Sequence, residues 1–398
     1  MKAIHVSLMA LFLMVNLTLR AETVASGTCG ENVNYQVETN DGGKTYQVTI
    51  SGTGWMTDYD YYASPKPFRP PWSDMSDKIT AIVVEEGVHS IGNHAFMYCN
   101  ALTSLTLPST LEKIGILTFY GCASLPAVNL PEGFKWLDNA AFHSCTSLKS
   151  LVIPSTMTYI PNEGFANCTS LESVKLPSTL TAIYYKGFYS CTQLSKVNIP
   201  EGVTTIGDWA FSYTAMPTIY VPGSVKNIGM AAFENNPNVT KVVISEGVEK
   251  IGGGAFGVCH QLSTVVLPST LTEIGDHAFM AWQQLKDFYC HSTSVPRIID
   301  DVFGISYDDG HPDDMSGVTL HVPEQAVSEY QIAYGWSDFG KIVALTSSDP
   351  KPTGVSEIYS EKGGENDVYY DLQGHPIIGK PTQPGVYIYK GKKVVVNI

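Results

Sequence analysis

Apolar residues return along the chain at a fixed interval. Phenylalanine stands at Phe96, Phe119, Phe142, Phe165, Phe188, Phe211, Phe233, Phe256 and Phe279, each 23 residues after the last except for one step of 22. Five residues before each is an isoleucine or leucine (Ile91, Ile114, Leu137, Ile160 and onward), and six after most of them comes a leucine, as at Leu102, Leu125 and Leu148. A fixed period in this range is the mark of a solenoid of stacked coils.

One period shows how a coil is built. Leu105 and Leu107 alternate with Ser104 and Thr106, which predicts a short strand with one face inward. Pro108 has no N–H to give a ladder and ends it. Elsewhere the same turn reads Pro131-Glu132-Gly133 or Pro200-Glu201-Gly202, with glycine free to take positive φ. A second short strand carries Ile114 inward, and a tight helical turn around Phe119 and Cys122 is expected to close the coil. About five inward side chains give roughly 10 kcal/mol at about 2 each. Ordering a whole repeat costs about 1–2 kcal/mol per residue in backbone entropy alone. A single repeat therefore cannot fold, and the coils must stack.

The period divides the chain. Residues 76–290 form the array. Residues 22–75 precede it and hold two alternating runs, Val33 to Val37 and Tyr46 to Ile50, joined by a turn at Asp41-Gly42-Gly43, which reads as an N-terminal cap. In residues 291–346 the pattern decays: Ile298 and Phe303 keep the five-residue spacing, then an acidic loop precedes Val318 to Pro323 and an amphipathic stretch through Tyr330 and Trp336, read as a C-terminal cap. Residues 347–367 are polar with Pro and Gly, a linker, and residues 368–398 form a small β-rich module. The expected fold is an α/β repeat: a right-handed leucine-rich-repeat solenoid with short parallel strands, capped at both ends.

Charge and composition narrow the function. A net charge of -14 argues against nucleic acid or anionic lipid as partner. Lys2, an apolar run from Val6 to Val15 and small Ala21 read as a secretory signal peptide over residues 1–21. That run is too short to span about 30 Å of hydrocarbon, so no membrane span is expected and the protein should be secreted or displayed on the cell surface. Eight cysteines in an exported chain suggest disulfides, but Cys99, Cys122, Cys145, Cys168 and Cys191 recur every 23 residues. One repeat position stacks side chains in parallel about 4.8 Å apart, whereas a disulfide wants converging Cβ atoms about 3.8 Å apart, so buried thiols are favoured over bridges.

At these residues the chain resembles the BspA-type leucine-rich-repeat surface proteins of bacteria. The resemblance rests on the Leu-x-x-Leu-x-Leu-Pro, Ile-Gly and Ala-Phe-x-x-Cys blocks and on the lead-in Ser26 to Gly30, Ile50 to Gly54 and Pro70-Pro71-Trp72, and it covers about residues 26 to 346. It implies an exported or surface-displayed protein; some members are adhesins for host matrix proteins such as fibronectin and fibrinogen. The tail, Tyr370 to Gly374 and Gly385 to Val394, is similar to carboxy-terminal signals of surface proteins exported through a type IX route, which leaves it either a sorting signal or an ordinary domain.

No nucleophile motif, phosphate loop or zinc spacing is present, so neither an enzyme nor a cofactor is expected. The ten histidines are scattered; His94 and His277 share a repeat position held by Trp209 in another coil and read as surface variants. Asp300, Asp301, Asp308, Asp309, Asp313 and Asp314 could offer oxygen ligands to calcium, but they lack the spacing of a calcium loop, and a solvated acidic loop is favoured. Solenoids bind on their extended sheet face. Among the outward strand positions, Lys175, Lys196, Tyr220 and Lys241 cluster in four consecutive strands, a patch of positive charge around one aromatic anchor. The expected function is binding a protein ligand, with adhesion to a host extracellular protein as the specific form; the alternative is a glycan-binding surface module.

Overall fold

The computed structural model describes residues 21–62, 68–303 and 315–353, together with the backbone of four short strands between residues 368 and 396. Residues 1–20, where the signal peptide is expected, lie outside the described residues, as do Asp308, Asp309, Asp313 and Asp314 of the acidic loop. The chain divides into two compact units, Met1–Lys149 and Ser150–Ile398.

Each unit is a parallel β-solenoid in which a coil contributes a leading strand, a trailing strand and a turn-rich third side. In the first unit the antiparallel strands Glu22–Gly30, Val33–Thr39 and Tyr46–Gly52 open the leading sheet, and the last of them pairs in parallel with Ile79–Val84, then Ser104–Thr106. Its trailing sheet runs Gly54–Trp55, Val88–Ile91, Lys113–Ile114, Trp136–Leu137. In the second unit seven trailing strands form one sheet from Tyr159–Ile160 to Arg297–Ile298. The leading strands there form two sheets: Ser150–Val152, Ser173–Lys175 and Lys196–Val197, then six strands from Thr218–Val221 to Lys341–Ala344. The break falls where the repeat shortens to 22. The tail backbone forms a separate four-stranded antiparallel sheet.

The core is a set of ladders. In the first unit Trp72 stacks on Phe96 at 5.2 Å, Phe96 on Phe119 at 5.7 Å and Phe119 on Phe142 at 5.2 Å. In the second, Phe165, Phe188, Phe211, Phe233, Phe256 and Phe279 stack at 5.3 to 5.7 Å. Trp72 also donates its Nε1–H to Ala95 O at 2.7 Å, which fixes the ring that begins the ladder. After Phe279 the ladder is closed by edge-to-face contacts among Phe288, Phe303, Trp336 and Phe339. All eight cysteines are buried reduced thiols. Each of several donates S–H to the phenylalanine carbonyl of the preceding coil: Cys122 to Phe96 O at 3.3 Å, Cys191 to Phe165 O at 3.1 Å.

The third side departs from expectation. Instead of a helical turn, it is a run of turns in which residues four apart take positive φ, as at His94 and Tyr98, Ala140 and Ser144, Lys186 and Ser190. A positive φ at every fourth residue lets every second N–H point to the next coil. His94, Phe96 and Tyr98 thus donate to Ile116, Thr118 and Tyr120 carbonyls at 2.8 to 2.9 Å, and Lys186, Phe188 and Ser190 to Asp208, Ala210 and Ser212 at 2.9 to 3.0 Å. A helix would turn those donors back into its own coil. Among the described residues the α-helix is the single turn Val327–Tyr330.

Two predictions follow from the ladders. Ala231 sits at φ 51°, while its neighbour Ala232 is fully buried and outside the positive-φ set. Left-handed backbone costs an L-residue about 1–2 kcal/mol and glycine nothing comparable. Ala231→Gly should therefore be neutral or stabilising by up to about 1 kcal/mol, and Ala232→Gly destabilising by about 1 kcal/mol, read from urea midpoints. The second concerns alkali. Burial pushes the Cys259 thiol from its ordinary 9.0 up to about 12 and that of Cys290 to about 11. Unfolded thiols ionise first, so stability is full below pH 9 and falls as pH rises from 9 toward 12. The urea midpoint should drop across that window, and Cys259→Ala should flatten the drop.

Candidate binding face

Strand alternation leaves two outward residues on each leading strand of the second unit, and the register lines them into rows. The first row includes Ser150, Ser173 and Lys196, then Thr218, Lys241, Thr264 and Asp287. The second includes Val152 and Lys175, then Tyr220, Val243, Val266, Tyr289 and His321. Lys175 and Lys196 are exposed and Lys241 half-buried. The break between the two leading sheets falls between Lys196 and Tyr220, so the expected strip spans both sheets rather than one continuous ladder.

Tyr220 is not the exposed anchor that alternation implies. It is only 8% exposed, packed with Val243 and Val266 and flanked by Tyr289. Its hydroxyl donates to Glu201 Oε1 at 3.0 Å and accepts from Ser245 Oγ. The chain also returns to this face from beyond the last strand. Residues 345–353, including the first part of the segment expected as a linker, turn back over the ends of the leading strands. Leu345 N–H donates to Val322 O at 2.8 Å, His291 Nε2–H to Pro350 O at 2.9 Å and Glu246 N–H to Pro352 O at 3.2 Å. Asp349 folds the return, accepting from Thr346 N–H at 2.7 Å, and stands 3.9 Å from His321 Nδ1. Burial pushes the Tyr289 phenol up, with the negative charges of Asp287 and Asp349 adding to it. Between this strap and the sheet is a cavity of about 380 Å³ whose lining includes Glu246, His291, Lys351 and Pro352.

Exposure falls along the second row toward the strands that receive the strap. Val152 is 56% exposed, Val243 3% and Val266 0%. The open part of the face is therefore the sheet Ser150–Val152, Ser173–Lys175, Lys196–Val197, with Val152, Lys175, Lys196 and Asn198 all exposed.

The other candidate groups have structural partners. His94 Nδ1 donates to Tyr59 O at 2.8 Å, and His277 Nδ1 is 2.6 Å from Asp276 Oδ1. Asp301 N–H reaches Asp276 Oδ1 at 3.3 Å. Among the described residues no three His, Cys, Asp or Glu side chains group to hold a metal ion, and no helix is long and apolar enough to cross a membrane. Sequence reasoning missed two features: the strap, which has no period, and an exposed aromatic pair, Trp55 and Trp136, on the trailing sheet of the first unit. Trp136 occupies the repeat position of Lys113, so the period alone could have placed it outward; Trp55 precedes the array and carries no such signal.

The family profile described as BspA type Leucine rich repeat region matches residues 74–195 and 181–307 in 6 copies, together more than half of the chain. Among solved structures the chain is similar to a leucine rich cell surface protein of Faecalibacterium prausnitzii, with 20% identity over 82% of this chain and 96% of that one and a TM-score of 0.42. It is similar to a leucine-rich repeat protein of Bacteroides ovatus at 20% identity, covering 80% and 99%, with a TM-score of 0.41. For the pneumococcal vaccine antigen PcpA the figures are 16%, 82% and 100%, with 0.37. No curated protein matches the chain.

One repeat position behaves in two ways. Val152→Asp places a charge in water and should change stability by no more than about 0.5 kcal/mol. Val266→Asp places one at a fully buried position of the same row and should cost about 3–5 kcal/mol, as an uncompensated buried charge does. Equal urea midpoints for the two variants would mean that the row is not buried there in solution.

Proposed function

Because the chain belongs to the BspA-type leucine-rich-repeat family, we propose that it is an exported surface scaffold that holds a host extracellular protein on the open part of its second-unit sheet. The observation that carries this reading is the contrast along one row of the sheet, from Val152 at 56% exposure to Val266 at 0%. The chain covers the apolar half of that face itself and leaves the half that carries Lys175 and Lys196 to solvent. A protein partner gains there one apolar contact, two ammonium groups and the amide of Asn198, while the flat sheet holds them at fixed spacing. Tyr220 supports the edge of this face through its hydroxyl bonds to Glu201 and Ser245, and Lys241 adds charge beside it. The lysines stand out against a chain of net charge -14, which favours an acidic patch on the partner.

The test uses immobilised fibronectin and fibrinogen with the mature chain and a Lys175→Ser, Lys196→Ser, Lys241→Ser variant. Melting should be unchanged, because outward polar residues contribute no more than about 0.5 kcal/mol. Affinity should fall about tenfold or more, and the salt dependence should shrink with it, since exposed charges are screened over about 8 Å at physiological ionic strength. Undiminished binding by the variant would move the site off this face.

A further inference from the structure

The trailing sheet of the first unit carries a line of side chains that the protein-binding reading does not use. Trp55 is 50% exposed and Trp136 43%, whereas Trp72, Trp282 and Trp336 are buried. They lie on the first and last of four adjacent strands, so about 14 Å separates them at three strand spacings. The register shifts between Gly54, paired with Val88, and Trp55, paired with Ser90, which puts Trp55 in the row that continues through Lys113 to Trp136; Ser90 is buried, and the Trp55 ring lies exposed against His89.

Polar groups join the two rings without a gap. Trp55 and His89 stack at 6.4 Å with 25° between their planes. His89 Nδ1 is 3.1 Å from Thr110 O, and since a carbonyl can only accept, Nδ1 carries the proton and Nε2 is the acceptor in the neutral ring. The same Nδ1 is 3.7 Å from Glu112 Oε1, and Glu112 Oε2 accepts from Lys135 Nζ at 2.8 Å. Lys135 Nζ in turn stands 5.4 Å from the centre of the Trp136 ring. Lys113 and Asp138 pair alongside at 3.0 Å. The hydrogen bond from Lys135 holds the Glu112 carboxyl below its ordinary range, so the line keeps its acceptor charged.

We propose that the line from Trp55 through His89, Glu112 and Lys135 to Trp136 is a subsite for a neutral hexopyranose oligosaccharide. Three features select this class of ligand. Exposed indole faces take the apolar C–H face of a pyranose, as they take other apolar surface; Trp55 is held by its stack on His89 and Trp136 by the Lys135 ammonium before a ligand arrives. The groups between them offer both acceptors and donors, which suits hydroxyls that do both. Two carboxylates and two ammonium groups cancel, so the line attracts neither a polyanion nor a polycation, in contrast to the lysine face of the second unit. The strand spacing is near the length of one sugar, so the line accommodates about three to four residues of an extended chain.

The experiment titrates the mature chain by calorimetry with cellotetraose, mannotetraose, laminaritetraose and maltotetraose, and with a heparin tetrasaccharide as the charged comparison. At least one neutral tetrasaccharide should bind, with little dependence on salt. Trp55→Ala and Trp136→Ala should each weaken it about tenfold or more, as truncation of a central aromatic contact does, while Glu112→Gln weakens it less. Both tryptophans are outward, so the variants should melt with the parent; Trp55→Phe and Trp136→Phe, which keep a stacking ring, should retain most of the affinity. Binding of none of the four neutral sugars at millimolar concentration would overturn the proposal, as would tighter binding of the heparin fragment or an affinity in either alanine variant equal to that of the parent. None of these outcomes bears on fibronectin or fibrinogen binding by the lysine face, so the two sites stand or fall separately.

Discussion

Every feature of the two units depends on one constraint: a side chain in one coil must lie on the same side chain of the next. Neighbouring strands are held about 4.8 Å apart by their hydrogen bonds. The phenyl rings above them sit 5.2 to 5.7 Å centre to centre, slightly wider, so they stack nearly parallel with a small offset. An inward position therefore cannot change size in one coil without leaving a void or a clash in two others. Thiols of the ladder obey the same rule in a polar form, the S–H of Cys122, Cys145 and Cys191 each reaching a carbonyl one coil back. At the ends of the ladders no next phenylalanine exists, and larger aromatics with their own hydrogen bonds take its place: Trp72 bonded to Ala95 O, and Trp336 bonded to Pro296 O.

The shortened repeat shows what happens when the constraint is strained. Between Phe211 and Phe233 one residue is lost, and there the cysteine position is taken by Thr214 and Asn236. Asn236 is fully buried, yet its amide donates to Phe211 O at 3.1 Å and Phe233 O at 2.7 Å, while its oxygen accepts from Thr214 N–H at 3.0 Å. A longer side chain with donors and an acceptor thus bridges a turn that a thiol would leave unsatisfied. The phenylalanine ladder continues through it at 5.5 Å, but the leading sheet divides. Packing and the trailing ladder tolerated the deletion; the leading ladder did not.

What was legible in the sequence follows the same line. Phe, Ile, Leu and Cys at fixed intervals gave the inward residues and both strand types, because inward positions are forced to repeat. The third side reads as helical in the sequence because the residues that take positive φ there are Tyr, His, Leu, Lys, Ala and others, with glycine only at Gly121 and Gly254; their backbone is imposed by the coil-to-coil hydrogen bonds, not by their own preference. Tyr220 was rightly placed on the outward face and wrongly taken as exposed. Alternation reports which face of a strand a residue is on, and says nothing of a distant segment that lies over that face. The strap itself, residues 345–353, is polar with two prolines, the composition of a linker; the groups that hold it against the sheet, among them Val322, His291 and Glu246, are far from it in sequence.

This has a consequence for where binding can arise in such a chain. Inward slots are tied to their neighbours and outward slots are not, so evolution can vary the outward rows coil by coil at almost no cost in stability. A functional surface then shows itself as a local departure from the average coil, and two such departures are present. In the second unit, apolar outward residues accumulate and pack on one another from Tyr220 to Tyr289, and the chain itself returns along that face as far as Glu246, leaving charge and Val152 beyond it. In the first, tryptophan replaces the small or charged residue of the trailing strand at Trp136, and a bulge brings in Trp55 from outside the repeat. A large aromatic in an exposed slot carries a hydration penalty that packing does not relieve, whereas an exposed lysine or threonine carries none. The packed row has had that penalty removed by its own contacts; the tryptophan line has not, and a ligand is what would remove it.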